Sequence, residues 1–371
     1  MSKNLKKIQQ DLPHNMIRDI YEQPGIIKNL IEEHVDVKKK KILFKDFGID
    51  DGKMKKINRI VFLACGSSYH ASLIGRYALA QYAEIESEVE FADEFVSRKA
   101  KVDSKTLIIA VSQSGETGDV NKAVKMAKKQ KATIISMTNG IDSTLDKQSN
   151  YTIFNQAGKE LALAATKTFT SQLLLMTLFA IFLGQQFQKT KQKEVVRIVN
   201  EIIKLPKKID LVLKQNINLQ IIANKYYKLD NILVLGKYYQ YPLALEAALK
   251  LKETTYMHGE GFAAGEFSHG PLAICDKNRP CLFFVPQGND YDEMKALIKR
   301  VKDLKRKAIC VTNVGNRQLI KSADTVVFVP KTLDLFFPLL AVVSIQILAY
   351  HITLLKGINP DKPRFLSKFV K

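Results

Sequence analysis

Between residues 244 and 273 the chain reads ALEAALKLKETTYMHGEGFAAGEFSHGPLA, and most of its candidate acid–base groups are gathered there. Glu246, Lys250 and Glu253 fall three or four residues apart, which puts them on one face of a helix. His258, Glu260, Glu266 and His269 follow in a glycine-containing segment read as a loop. An exposed, salt-bridged helix surface accounts for the first three nearly as well as a reactive cluster does. His269, set between Ser268 and Gly270-Pro271, is harder to dismiss, because a histidine in a rigid turn is placed for proton transfer near neutral pH. Metal binding by histidine and glutamate together is the lesser alternative, since no H-E-x-x-H spacing occurs; no cofactor is expected.

A second cluster suits an anion. In LIIAVSQSGETGDV, residues 107 to 120, an apolar strand runs into Ser112-Gln113-Ser114-Gly115-Glu116-Thr117, after which Val120, Ala123, Val124 and Ala127 repeat at helix spacing. Gly115 lets the backbone approach an anion closely, and the hydroxyls of Ser112, Ser114 and Thr117 can donate to phosphate oxygens. The bland alternative is that these residues only cap the helix, for which one hydroxyl is enough. Gly66-Ser67-Ser68 supplies a second hydroxyl cluster at another strand end. Neither a P-loop nor a dinucleotide-binding glycine pattern is present, so a nucleotide is not favoured.

Positioning such groups needs a sheet. Strands are predicted at 60–64, 107–111, 133–137 and 151–154, and again at 232–235, 282–285, 308–311 and 325–329, each about 170 to 175 residues later. Each set leads to a long apolar helix, Thr168 to Leu183 and Phe336 to Leu355. Short apolar runs separated by helix-length segments fit buried parallel strands, and four pairs in the same order point to an internal duplication. The expected fold class is α/β, two tandem doubly wound parallel-sheet domains. Residues 1–50 form an N-terminal helical segment with a lysine-rich connector, 51–200 the first domain, 201–356 the second, and 357–371 an irregular tail. In the second domain the loop matching Ser112–Thr117 reads VPQGND, Val285 to Asp290, without serines, so phosphate binding is expected only in the first.

With 371 residues and 46% hydrophobic content, the chain can bury two ordinary cores. Its net charge of +20 comes with no nucleic-acid-binding motif, so a lysine-rich surface attractive to small anions is expected, without nucleic acid as a partner. Four cysteines lack metal spacing and disulfide density, which points to a reducing, cytoplasmic setting. The N-terminus is no signal peptide, and the two long apolar helices read as buried core elements rather than membrane spans.

Taken together, IYEQP (20–24), ACGSSYHA (64–71), SQSGET (112–117), ALAATKTFTSQL (162–173), ALKLKE (248–253), GEFSHGPLA (265–273) and PRFLSK (363–368) resemble the sugar isomerase (SIS) family. The likeness is to the isomerase half of glucosamine-6-phosphate synthases and to related hexosamine-phosphate deaminases, and it implies flavodoxin-like domains. It implies that Ser67, Ser68, Ser112, Gln113, Ser114 and Thr117 hold a sugar 6-phosphate and neighbouring hydroxyls, and that Ala164, Ala165 and Thr166 line the sugar. Glu253 matches the base that moves a proton between C1 and C2, Lys250 lies near the developing charge, and His269 matches the ring-opening acid–base group. In the synthases a neighbouring subunit supplies that histidine, which implies a homodimer with a shared site. Lys368 matches a lysine that forms an imine with the open-chain ketose.

The departures bear on direction. The first cysteine is Cys65, no glutaminase-sized segment precedes the isomerase half, the chain ends FVK after Lys368, and Ala165 stands where serine is expected. These favour an amino-sugar-phosphate deaminase/isomerase that interconverts glucosamine 6-phosphate with fructose 6-phosphate plus ammonia. The alternatives are an aminating component using free ammonia or a separate glutaminase, and a non-catalytic sugar-phosphate sensor.

Overall fold

All eight apolar runs are strands in the computed structural model, which describes residues 12–44, 51–54 and 56–367. Strands β1 (Arg59–Ala64), β2 (Glu88–Phe91), β3 (Thr106–Ser112), β4 (Thr133–Thr138) and β5 (Tyr151–Phe154) pair in the order β2-β1-β3-β4-β5, every neighbour parallel. Strands β6 (Asn231–Gly236), β7 (His258–Ala263), β8 (Cys281–Val285), β9 (Ala308–Asn313) and β10 (Thr325–Val329) repeat the plan as β7-β6-β8-β9-β10. Both sheets thus have the flavodoxin-like order 2-1-3-4-5. In that order the winding reverses between the first and third strands, so their carboxyl ends flank a crevice suited to a ligand.

Two strands of the five-stranded sheets were not legible as such. The edge strand β2 reads EVEF and buries none of its residues fully, so it lacks the apolar signal of its neighbours. The other, β7, reads HGEGFA, and its composition suggested a loop. Its glycines instead admit a helix: a Cβ on Gly261 would stand 2.9 Å from the Leu245 backbone, and one on Gly259 2.9 Å from the Ala248 carbonyl oxygen. Close backbone packing, invisible in one-dimensional periodicity, makes this segment a strand.

The helices that bear on the candidate sites are α1 (Asn15–His34), α2 (Gly66–Ala78), α3 (Gly118–Lys129), α4 (Lys167–Gln186), α5 (Gln240–Thr255) and α6 (Phe337–Leu355). The apolar stripe of α3, Val120, Ala123, Val124 and Ala127, joins Val61, Leu63, Ile108 and Ala110 of the first sheet in one buried cluster. Each fully buried Val, Leu or Ile contributes about 1.5–3 kcal/mol, so the start of α3 is held firmly at the end of β3. Pro206 lies in the first turn of helix Leu205–Leu213, where its missing N–H costs nothing. The lysine-rich connector is a turn between two-residue strands, Val35–Asp36 and Lys41–Ile42. Both α4 and the segment Asp334–Leu355 containing α6 are long and apolar enough to cross a membrane, but 89% and 100% of their apolar windows are buried inside the protein.

Contacts divide the chain into two units. One comprises the chain up to Gly25, Leu161–Thr166 and Lys204–Leu366 and contains the second sheet; the other comprises Ile26–Glu160 and Lys167–Ile203 and contains the first.

Candidate active site

In the unit built on the first sheet, the carboxyl ends of β1 and β3 carry the two hydroxyl clusters. Ser112 is buried; its Oγ accepts the Gly115 N–H at 3.1 Å and lies 2.7 Å from Thr117 Oγ1, which closes the loop on itself. Ser114 Oγ accepts the Glu116 N–H at 3.0 Å. Gly115 has φ of +71°, and a Cβ there would stand 2.0 Å from Ser143 Oγ, so only glycine fits. Thr117 is the N-cap residue of α3, yet its side chain makes no capping hydrogen bond. The bland reading of this hydroxyl therefore fails: it is turned toward Ser112, and the first turn of α3 keeps the N–H groups and positive dipole end that favour an anion.

Glu116, the one carboxylate in the loop, is drawn aside. Its oxygens accept from the Thr144 N–H at 2.8 Å and the Thr144 hydroxyl at 2.7 Å, and these bonds hold its carboxyl below the usual glutamate range. Gln113 is half-buried. At the end of β1, Ser67 is half-buried in the first turn of α2, while Ser68 is buried and tied by its Oγ to the Gln172 side chain of α4 at 3.0–3.2 Å. Neighbouring Cys65 has its thiol pushed up chiefly by burial, which disfavours a thiolate there.

The corresponding loop of the second sheet has a different filling. A Cβ on Gly288 would meet Asp334 Oδ2 at 1.9 Å, and Asp290 pairs with Lys237 at 3.2 Å. Carboxylates stand where the first repeat has hydroxyls, and they repel a phosphate.

The same unit carries the acid–base candidates. On α5, Lys250 Nζ lies 2.5 Å from Glu253 Oε2 and 3.4 Å from Glu246 Oε1. The side chains of Lys250 and Glu246 are 0% exposed and that of Glu253 is 22% exposed, so the exposed-helix reading does not hold. Glu253 is the outward end of a buried charged row. It borders a groove of about 520 Å³ together with Tyr256, His258, Arg364 and Phe365. Arg364 is fixed there, its N–H donating to Tyr256 Oη at 2.7 Å and its guanidinium lying 4.2 Å from the Tyr256 ring centre. Of the groove residues, His258 is among the acid–base candidates of the sequence, whereas Tyr256 and Arg364 are not singled out there, although Arg364 lies within the PRFLSK motif. Lys368 lies outside the described residues.

His269 does not line that groove. It ends the short 3-10 helix Glu266–His269 and is exposed. Ala164 and Thr166 are buried and Ala165 is half-buried, in a segment grouped with the second sheet's unit.

The model of the SIS domain matches twice, at residues 53–182 and 225–355. The chain belongs to the SIS domain family. This SIS-domain chain is 36% identical over 376 residues to an isomerizing glutamine–fructose-6-phosphate aminotransferase of Methanosarcina mazei, covering 99% of the chain and 61% of the relative. To its counterpart in Chlorobaculum tepidum it is 35% identical over 370 residues, 99% of the chain and 60% of the relative. The chain thus spans about three-fifths of the length of these curated relatives. Among solved structures it is similar to the C-terminal domain of glucosamine-fructose-6-phosphate aminotransferase from Francisella tularensis, with a TM-score of 0.88, 28% identity, and coverage of 98% of this chain and 100% of that one. A glucosamine-6-phosphate deaminase from Thermotoga maritima follows, with a TM-score of 0.73, 25% identity, and coverage of 96% and 99%.

Proposed function

We propose that this SIS-domain chain is an amino-sugar-phosphate deaminase/isomerase, converting glucosamine 6-phosphate and water to fructose 6-phosphate and ammonia and catalysing the reverse. The observation that carries the proposal is the Glu253 carboxylate, held by buried Lys250 at the edge of a groove and open to a substrate. A fixed carboxylate suits a proton shuttle between adjacent carbons, and Lys250 offers a positive charge to the enediol or enolamine that forms. In this reading Ser67, Ser68, Ser112, Gln113, Ser114 and Thr117 serve the 6-phosphate, and Ala164, Ala165 and Thr166 the sugar. His269 opens the ring; its exposure suits delivery into a second copy of the chain, hence a homodimer. Lys368 traps the open-chain ketose as an imine. The four free cysteines support a cytoplasmic setting.

A second reading, amination of fructose 6-phosphate as the physiological direction, is favoured by the names of the curated relatives matched over 99% of the chain. The test is incubation of the purified chain with glucosamine 6-phosphate, following ammonia and fructose 6-phosphate, and then the reverse with ammonia. Turnover in neither direction with any hexosamine 6-phosphate would sink both readings and leave the sensor. As a site test, Glu253→Gln should abolish exchange of the C1 and C2 protons with solvent while phosphate-ester binding persists. Exchange at the wild-type rate removes Glu253 from its role.

A further inference from the structure

The motif IYEQP and its neighbour Asp19 lie on α1, far along the chain from every residue assigned so far. Asp19 is fully buried. Its Oδ2 accepts the N–H groups of Leu161 at 2.9 Å and Ala162 at 2.8 Å, the entry to the segment that ends at Thr166. One turn further on, buried Gln23 donates through Nε2 to Gln346 Oε1 of α6 at 2.8 Å, and Gln346 Nε2 donates to the Thr166 carbonyl at 3.2 Å. Both ends of the Leu161–Thr166 segment are therefore gripped from α1, directly at the start and through one side-chain relay at the end. The helix is itself anchored in the same unit, with Asp361 accepting the N–H groups of Asn15 and Met16 at 2.8 and 2.9 Å, and His14 meeting Tyr350 of α6 at 3.0 Å.

A bare apolar segment such as Leu161-Ala162-Leu163-Ala164-Ala165 has no polar side chain with which to fix its own backbone. A carboxylate accepting two backbone N–H groups is a strong device for doing so, because charge-assisted bonds are about twice as strong as neutral ones. We infer that Asp19 and Gln23 are positioning residues, which set the backbone of Leu161–Thr166 and so the affinity for the sugar phosphate. This rests on the proposed role of Ala164–Thr166 in lining the sugar.

The test compares wild type with Asp19→Asn, Asp19→Glu and Gln23→Leu, using fructose 6-phosphate and glucosamine 6-phosphate as probes in calorimetric titration, with steady-state kinetics, thermal melting and amide exchange at Leu161 and Ala162. Asp19→Asn keeps the shape but loses the charge. It should raise the dissociation constant and KM about tenfold, the size of one weakened charge-assisted bond, and leave kcat within about threefold. Asp19→Glu should recover part of the affinity, and Gln23→Leu should raise KM on its own. Faster exchange at Leu161 and Ala162 with unchanged KM and dissociation constant overturns the inference, as does a fall in melting temperature with no change in affinity. If wild type binds neither sugar phosphate, the parent reading fails and this one fails with it. Wild-type binding matched by the Asp19→Asn and Gln23→Leu variants sinks this inference alone.

Discussion

Replacing Lys250 by methionine tests the buried charged row directly. The substitution keeps the chain length and apolar stem and removes the ammonium. Glu246, 0% exposed, then loses the positive charge 3.4 Å from it. At an effective dielectric constant of about 20, that separation corresponds to ~5 kcal/mol of attraction, against which the desolvation of both ions is set. Removing one member of a buried pair costs about 3–5 kcal/mol, because the remaining buried charge loses its counter-ion. For a unit of this size each kcal/mol shifts melting by roughly 2–4 °C, so Lys250→Met should melt roughly 6–20 °C below wild type. Glu253 contributes less to this loss, since its side chain is 22% exposed and water can solvate it. The assay is a double-mutant cycle by thermal and urea unfolding. Glu246→Gln with Lys250→Met removes both buried charges, and it should be more stable than Lys250→Met alone by about 1–3 kcal/mol. If Lys250→Met lies within about 1 kcal/mol of wild type, or the two substitutions add without coupling, the buried-pair reasoning is wrong.

Three further outcomes are expected. Gly115→Ala forces a left-handed backbone on alanine and a clash with Ser143, so it should destabilise by about 1–3 kcal/mol and lower inorganic phosphate affinity, measured by melting and phosphate titration. Ser112→Ala removes the acceptor for the Gly115 N–H and should weaken phosphate-ester binding at least about tenfold; unchanged binding would take Ser112 out of the cradle. Burial lowers His351 below the ordinary imidazole range, while its Nε2 lies 2.8 Å from Asn216 Oδ1. The unfolded state therefore binds more protons between the lowered value and about pH 6.5, so this contribution to stability is present above about pH 6.5 and lost as pH falls through that window. Melting temperatures across that range should decline less on acidification in His351→Gln than in wild type, and parallel profiles would refute the assignment.

The eight apolar strands, the duplicated order and the hydroxyl-rich loop after β3 were legible in the sequence because each rests on local composition. Burial on both faces demands continuous apolar runs, and a tight turn with a left-handed residue demands glycine. The same local reading left Glu246, Lys250 and Glu253 ambiguous, since a three- or four-residue spacing describes an exposed ion pair and a buried one equally well. Only the packing of α5 removed the first from consideration. Likewise HGEGFA has a loop's composition and is a strand because a helix backbone rests on its glycines. Tyr256 and Arg364 are separated by 108 residues and meet only after folding. What the sequence determined by itself was the family and the kind of scaffold, two repeated parallel sheets with a hydroxyl-rich loop at one strand end. Which of those side chains are buried, which turn away from capping and which backbone segments are held from a distant helix were decided by tertiary contacts, because burial and long-range hydrogen bonds have no period along the chain.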